Sequence, residues 1–484
     1  MRRRDLLRLA SAAGAYFTMQ EARAEIGRTP IEVRLKPAVE VIGRPAGRLA
    51  LADRMAFYKT PAVSVALMEG GRLAATSASG YADVSNQRRA LPDTLFQAAS
   101  ISKSLTALAA LRLVANGQLA LDLDVNQQLR SWQVPEYGGG AEPVTLRRLL
   151  SHSAGLGHNY FPGSDVGKPL PTALQILRGE APATNGPIKP LGEPGKAFRY
   201  SNDSYVVIQL LLEETTCLPF PVLMRELVLN PLGMKQSTFS QSLPAGLLAK
   251  AATGYSWEAQ ALKGRWGLHA DMAGGGLWST PSDIARFAIA VHQTYRGERS
   301  DLIPRSLMHE ALTRQIGNWG VGFGLSPAGQ PARFRQTGSN EGFQCAYEMA
   351  CEGGDGIVVM TNAVGGVLLV PEILRGFTTE RGWGDQETLS ARGLDLAAAG
   401  SLSGDYSIGD YRIASIHSEG GKLFVATPFF GAGPLELLPL AEDRFLIWPT
   451  HAVELQIHRA LNGGVEKLSM RRGVFGVEGA RVGF

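Results

Sequence analysis

The chain has 484 residues, of which 45% are hydrophobic and 19% charged. That is ordinary globular composition, and it excludes a disordered, collagen-like or coiled-coil protein. Lys and Arg number 48 against 44 Asp and Glu, a net charge of +4, but residues 1–24 hold five basic and two acidic residues, leaving 43 to 42. A near-neutral body gives no electrostatic ground for nucleic acid or an anionic membrane as partner. The eight His and three Cys form no metal-ligand pattern, with neither CxxC nor HExxH in the chain. At roughly 150 residues per domain, the length allows two to four domains.

Residues 1–24 read as an address. Arg3-Arg4-Asp5-Leu6-Leu7 has the twin-arginine pattern, Leu9 to Met19 is a short apolar stretch, and Ala22-Arg23-Ala24 is an A-x-A cleavage site. Eleven residues are too few for a membrane helix, which needs about 20. The expected location is periplasmic or extracellular. No other stretch is long and apolar enough to span a membrane, and no Cys follows the leader to carry a lipid. Twin-arginine cargo folds in a reducing compartment, so Cys217, Cys345 and Cys351 are expected as buried free thiols. Six extended residues between the last two span about 20 Å, too far for a bridge.

Residues 61–84 predict two strands around a Gly70-Gly71 turn. Leu105, Leu108, Leu111 and Val114 recur at helical spacing over 100–115, with Arg112 off that face and Asn116-Gly117 as a stop. Residues 145–151 and 204–216 are further helices. Thr280-Pro281-Ser282-Asp283 reads as a cap, a proline at the first helical position and an acid three residues after the cap, opening a helix over 281–293. Residues 333–362 predict strand, turn, strand. From about residue 400 the pattern becomes short alternating strands, as in Val453, Leu455 and Ile457 between Glu454, Gln456 and His458. The expected domains are 25–380, a linker over 381–400, and a β domain over 401–484.

The strongest chemical signal is Ser100-Ile101-Ser102-Lys103 at the head of a patterned helix. Three residues make about one turn, so both side chains share a face. A serine hydroxyl is a weak nucleophile and needs a base beside it, which a neutral lysine provides. A helix N-terminus disfavours the ammonium and favours an alkoxide. Alone, S-x-x-K is common by chance. Two further clusters stand beside it: Tyr200-Ser201-Asn202, just before a helix, and Gln336-Thr337-Gly338-Ser339 on a strand.

With these, the sequence resembles the serine β-lactamase and penicillin-binding-protein-like superfamily, nearest its class C members and their esterase and peptidase relatives. Supporting stretches are Leu149 to Leu156, Pro231 to Met234, Ala252 to Tyr255 and Gly274 to Thr280. The resemblance covers roughly 40–375. It implies an α+β fold, an antiparallel sheet flanked by helices with a helical lobe over about 100–280. The tail is similar to the lipocalin-like β-barrel that some members append. The implied roles are Ser100 as nucleophile, Lys103 and Tyr200 sharing the proton, and Asn202 on the substrate's amide or carbonyl. The N–H groups of Ser100 and Ser339 would form an oxyanion hole, with Gln336, Thr337 and Gly338 lining the substrate's strand. No cofactor or metal is implied.

Against those roles stand plainer ones. Tyr200 is also readable as a core tyrosine, Asn202 as a helix cap, His152 as a structural loop residue, and Trp278 and Trp319 as wall or core. Gly274 to Gly276 is a tight turn, since no lysine follows it as in a phosphate-binding loop. The departure from the family pattern is Gln336, where relatives carry Lys or His. A neutral amide weakens the attraction for a substrate carboxylate by roughly tenfold, from the gap between charged and neutral hydrogen bonds. Strand alternation points Arg335 away from Gln336's face. The expected function is therefore an exported ester or amide hydrolase acting on a small-molecule or peptide substrate. The alternatives are a DD-carboxypeptidase, D-aminopeptidase or β-lactamase and, from another class, a catalytically silent protein binding cell-wall fragments or a partner. The oligomeric state is not readable from the sequence.

Overall fold

A computed structural model describes residues 35–482 apart from positions 38, 45–48, 139–141, 160, 162, 385–386, 394–399, 451 and 473–474. The expected export leader lies outside the described residues. The chain forms two compact units, one of residues 63–255 with 261–362, the other joining residues up to 62, 256–260 and 363–484.

In chain order the elements that matter are β1 (Val39–Val41), α1 (Leu51–Phe57), β2 (Ala62–Glu69), β3 (Arg72–Asp83), β4 (Arg88–Arg89), β5 (Phe96–Ala99), α2 (Ser102–Ala115), α3 (Leu146–Leu150) and α4 (Asn202–Thr216). Then come α5 (Met272–Gly275), β6 (Leu277–Ser279), α6 (Pro281–Arg296), β7 (Gly324–Leu325), β8 (Arg333–Asn340), β9 (Phe343–Ala350), β10 (Gly356–Thr361), α7 (Gly366–Glu380) and β11 (Glu387–Leu389). The first unit holds a seven-stranded sheet in the order β4-β3-β2-β10-β9-β8-β7, with α6 against β3, β9 and β10. This is the antiparallel sheet flanked by helices that the resemblance implied. Residues 333–362 make three strands where two were expected, because Gly353 and Gly354, both at positive φ, form a second turn.

The helix expected over 100–115 starts later, at Ser102, with Ser100 in the turn before it. Its residues from Ser102 to Leu111 are all buried, so the one-sided apolar stripe understates its position: the helix runs through the core. The cap at Thr280 accepts from Asp283 N, and Pro281 takes the first helical position as expected, giving a helix that runs on to Arg296. At α4 the cap is Ser201, whose Oγ accepts from Ser204 N at 2.9 Å, so Asn202 is not the cap.

In the second unit, eight strands from Gly404–Ile408 to Phe475–Arg481 close into a barrel. Leu455 and Ile457 are buried while Glu454, Gln456 and His458 are partly exposed, the alternation of a half-buried strand. A Glu419–Lys422 closing pair with Gly420 and Gly421 both at positive φ makes a hairpin turn whose twist suits its strands. The stretch 381–400 carries β11, which pairs parallel with β1. Buried Arg54 of α1 grips Glu372 of α7 at 2.6 and 2.8 Å, and Tyr58 bonds the same carboxylate and the Thr450 carbonyl.

Among the described residues no single helix is long and apolar enough to cross a membrane, and no His, Cys, Asp and Glu cluster is placed to hold a metal ion. All three cysteines are free. Cys345 and Cys351 are buried, whereas Cys217 is exposed, since it ends α4 in a left-handed turn at the surface.

Candidate active site

The site is built where β5 hands over to α2. β5 pairs with β6 through a register shift between Gln97 and Ala99. Ala99 then adopts φ +45°, an uncommon conformation for a residue with a Cβ, and turns the chain sharply. Ser100 follows, and Lys103 N closes a turn on the Ser100 carbonyl at 3.1 Å. The spacing of one turn puts the Lys103 Nζ 3.0 Å from Ser100 Oγ. Lys103 is fully buried, and its Nζ also donates to the Gly274 carbonyl at 2.8 Å. The amine lies 5.1 and 5.4 Å from the ring centres of Tyr200 and Tyr205, within cation–π range. At 3.0 Å the amine is close enough to take the hydroxyl proton when it is neutral.

Gly274 lies between the amine and a carboxylate. A Cβ there would lie 3.5 Å from Lys103 Nζ and 3.5 Å from Asp271 Oδ2. A buried carboxylate thus stands within about 7 Å of the amine, a range over which charges still interact appreciably inside a protein. Sequence reading took the Gly274 to Gly276 run for a tight turn and missed this contact.

Tyr200 precedes the Ser201 cap, and its hydroxyl accepts from Gln336 Nε2 at 3.2 Å. Among the described residues no direct hydrogen bond joins Tyr200 to Ser100; Lys103 lies between them. His152 packs on the Tyr200 ring at 4.3 Å. Its Nδ1 accepts from Ser201 N–H at 3.1 Å, and its fully buried Nε2 has no partner. Burial first, and then the Lys103 charge, push the His152 pKa far below the ordinary value, so the ring is neutral with its proton on Nε2. His152 therefore positions Tyr200 and Ser201, and it makes no contact with Ser100. His158, 5.4 Å from Tyr200, is likewise shifted down by burial and by Lys103.

Asn202 opens α4, directly after Tyr200 and Ser201. Its Nδ2 donates to the Asn159 carbonyl at 3.1 Å, and neighbouring Asp203 accepts from Asn159 N–H and Nδ2. Burial raises the pKa of the Asp203 carboxyl, against the lowering effect of those bonds. The 157–159 loop is thereby clamped to the start of α4.

β8 supplies the last wall. Asn340 and Phe343 close a two-residue turn, so their pair exchanges hydrogen bonds, and so by alternation do Gly338 with Cys345 and Gln336 with Tyr347. The Thr337 and Ser339 N–H groups then point away from β9. On that side β7 pairs only with Phe334 and Arg335, leaving the second half of β8 as an open edge. Among the described residues Ser100 N–H also has no backbone acceptor. Gly338 fits because a Cβ would meet Ala98 O at 2.5 Å and Cys345 Sγ at 2.6 Å. Gln336 is 4% exposed, on the opposite face from Thr337 and Ser339. Arg333 is spent on Glu348 at 2.7 Å in a buried pair, and Arg335 sits on the Thr337 face, so neither supplies charge beside Gln336. Trp278 is core at 0% exposure, while Trp319 stands 5.7 Å from Tyr200.

Residues 48–372 match the family model described as Beta-lactamase. Esterase EstB of Burkholderia gladioli is 34% identical over 181 residues, 36% of this chain and 46% of that protein. Protein flp of Staphylococcus aureus strain MW2 is 27% identical over 188 residues, 38% of this chain and 35% of that protein. The matched stretch thus spans less than half the length of these curated relatives. Among solved structures, the octameric penicillin-binding protein homologue from Pyrococcus abyssi gives a TM-score of 0.59 at 20% identity, covering 88% of this chain and 98% of that one. The D-amino acid amidase from Ochrobactrum anthropi SV3, complexed with L-phenylalanine amide, gives 0.54 at 23% identity, covering 68% and 99%. At those identities the likeness is one of fold.

Proposed function

This chain belongs to the β-lactamase family, and on that premise we propose that it is a serine hydrolase transferring an acyl group from an ester or amide to water through a Ser100 ester. The observation that carries the reading is the contact of the fully buried Lys103 side chain with Ser100, Nζ to Oγ at 3.0 Å, flanked by the Tyr200 ring. Ser100 Oγ attacks the carbonyl carbon while its proton passes to the Lys103–Tyr200 pair. The tetrahedral oxyanion sits between the free N–H groups of Ser100 and Ser339. Losing one such donor typically costs about 2.7–4 kcal/mol of barrier. The pair returns the proton to the leaving oxygen or nitrogen as the bond breaks. Water then attacks the acyl ester by the same route in reverse, with the proton going back to Ser100. Asn202 Oδ1, with its Nδ2 engaged by Asn159, faces the substrate as an acceptor.

Gln336 supports a substrate without a carboxylate beside the strand, which favours an ester or simple amide over penicillins or D-Ala-D-Ala ends. The open edge of β8 supports a second reading, a peptidase whose extended substrate pairs with Thr337 and Ser339. The Arg3-Arg4 leader supports export. Incubation with a fluorophosphonate followed by mass spectrometry tests the main reading. Labelling of Ser100 together with turnover of p-nitrophenyl esters, both abolished in Ser100→Ala, is expected. An unlabelled Ser100 and no ester turnover refute it. Cell fractionation of wild type against Arg3→Lys/Arg4→Lys tests export, with retention of the variant in the cytoplasm expected.

A further inference from the structure

Apolar rings from two separate segments flank Tyr200. Phe198, two residues before it, is 43% exposed. Trp319, from beyond α6, lies 5.8 Å from Phe198 and 5.7 Å from Tyr200, ring centre to ring centre. The only polar atom of its side chain, Nε1, is fully buried, so whatever the indole presents at the rim is carbon. Single exposed apolar residues are ordinary on protein surfaces. Here Trp319 and Phe198 continue without a break from the ring of Tyr200, and burial of His152 beneath them at 5.9 Å from Phe198 fixes their seat.

We propose that Phe198 and Trp319 form a subsite for an apolar leaving group, the aryl or long-chain alkyl part of an alcohol or amine. This rests on the acyl-transfer reading above, in which Tyr200 returns the proton to the leaving atom. The group attached to that atom must then lie beside Tyr200, and the side chains reached outward from there are carbon-faced. The acyl part lies on the other side, along β8. No covalent step is added: the subsite acts by taking apolar surface out of water, and a phenyl-sized group is worth about ten- to a hundredfold in kcat/KM.

The test holds the acyl group constant and compares ethyl acetate with 2-phenylethyl acetate and octyl acetate, whose alcohols have similar acidity, so that the chemistry is matched. The kcat/KM ratio of 2-phenylethyl to ethyl ester is expected at tenfold or more in the wild type. In Phe198→Ala and Trp319→Ala it is expected to fall toward one. A purely structural role for the rings lowers both esters together and preserves the ratio, which overturns the proposal. A wild-type ratio near one also overturns it. So does a preference that follows the acyl chain, read from ethyl acetate against ethyl octanoate, and is lost in Phe198→Ala. Absence of turnover for every ester, with Ser100 unlabelled by fluorophosphonate, refutes the hydrolase reading itself. Turnover of ethyl acetate without leaving-group preference refutes only the subsite.

Discussion

Replacing Gln336 by lysine changes one contact and one charge. In the wild type its Nε2 donates to Tyr200 OH at 3.2 Å from a position 4% exposed. A lysine there reaches the same hydroxyl with an ammonium, about 1–1.5 kcal/mol stronger toward an anionic partner than a neutral amide. The new charge also faces Lys103, across Tyr200. Two cations about 8 Å apart repel by about 2 kcal/mol at an effective dielectric of 20. That repulsion burdens the free enzyme and its complexes with neutral substrates alike. A substrate carboxylate about 4 Å from the new ammonium offsets it, because opposite charges at that distance gain up to about 4 kcal/mol.

The quantity to read is therefore a ratio: kcat/KM for a carboxylate-bearing ester over that for its methyl-capped analogue. Gln336→Lys is expected to raise the ratio about tenfold at low salt, and 0.5 M NaCl is expected to erode the gain. Gln336→His assayed at pH 6, below the ordinary histidine pKa of about 6.5, is expected to move it the same way by less. Neither arginine on this strand confuses the result, since Arg333 is committed to Glu348 and Arg335 lies on the opposite face. A ratio that stays within twofold of wild type in both variants refutes the assignment of Gln336 as the residue that disfavours carboxylates.

Gly338→Ala drives a methyl group into the Ala98 carbonyl at 2.5 Å, on the strand that delivers Ser100, and kcat is expected to fall about a hundredfold with the fold intact by circular dichroism. Activity within twofold of wild type would show that the strand yields. Arg54→Met strands the buried Glu372 carboxylate and is expected to cost about 3–5 kcal/mol in urea unfolding, while Arg54→Met/Glu372→Met regains most of it. Equal losses in the two variants would refute the buried-charge account. Burial raises the Glu213 pKa from 4.5 to about 7, so between those values the folded state holds a proton the unfolded chain has released. The stability so contributed is present below pH 4.5 and is lost as pH rises through about 7, by about 2–3 kcal/mol. Glu213→Gln is expected to remove that slope and raise the melting temperature above pH 7, with Gln Oε1 keeping the Phe220 N–H bond. An unchanged slope counts against it.

What was legible in the sequence was whatever depends on near neighbours. The Ser100–Lys103 spacing is one turn wherever it falls, and Thr280-Pro281 opens a helix by its own dihedral and hydrogen-bonding preferences. The barrel was legible because alternation and paired glycines describe each hairpin locally. What stayed hidden depends on segments far apart in the chain. The Gly274 carbonyl reaches Lys103 from 171 residues away, and β11 finds β1 across most of the chain. The same distinction explains why the cap reading of Asn202 fails and why Cys217 is exposed. Asn202 has the chemistry of a cap, but the helix already begins at Asn202, so Ser201 just before it takes the role and the Asn202 side chain is left for Asn159. Cys217 has the apolar character of a buried thiol, but the left-handed turn that ends α4 carries it to the surface.

Gln336 joins both kinds of information. Its neutrality is readable from one letter, and its consequence depends on a contact 136 residues away with a hydroxyl that also borders Lys103. With a cation at that position, Tyr200 would sit between two positive charges. With glutamine, Lys103 lies over its ring, and the other rings against it are the neutral His152, His158 with its pKa pushed down, and Trp319. A pocket so lined gains little from an anionic substrate and much from an apolar one. The loss of charge at Gln336 and the carbon-faced rim at Phe198 and Trp319 are then two parts of one specificity. A Gln336→Lys/Phe198→Ala double variant that prefers carboxylate esters over 2-phenylethyl esters, reversing the wild-type order, is the outcome this coupling requires.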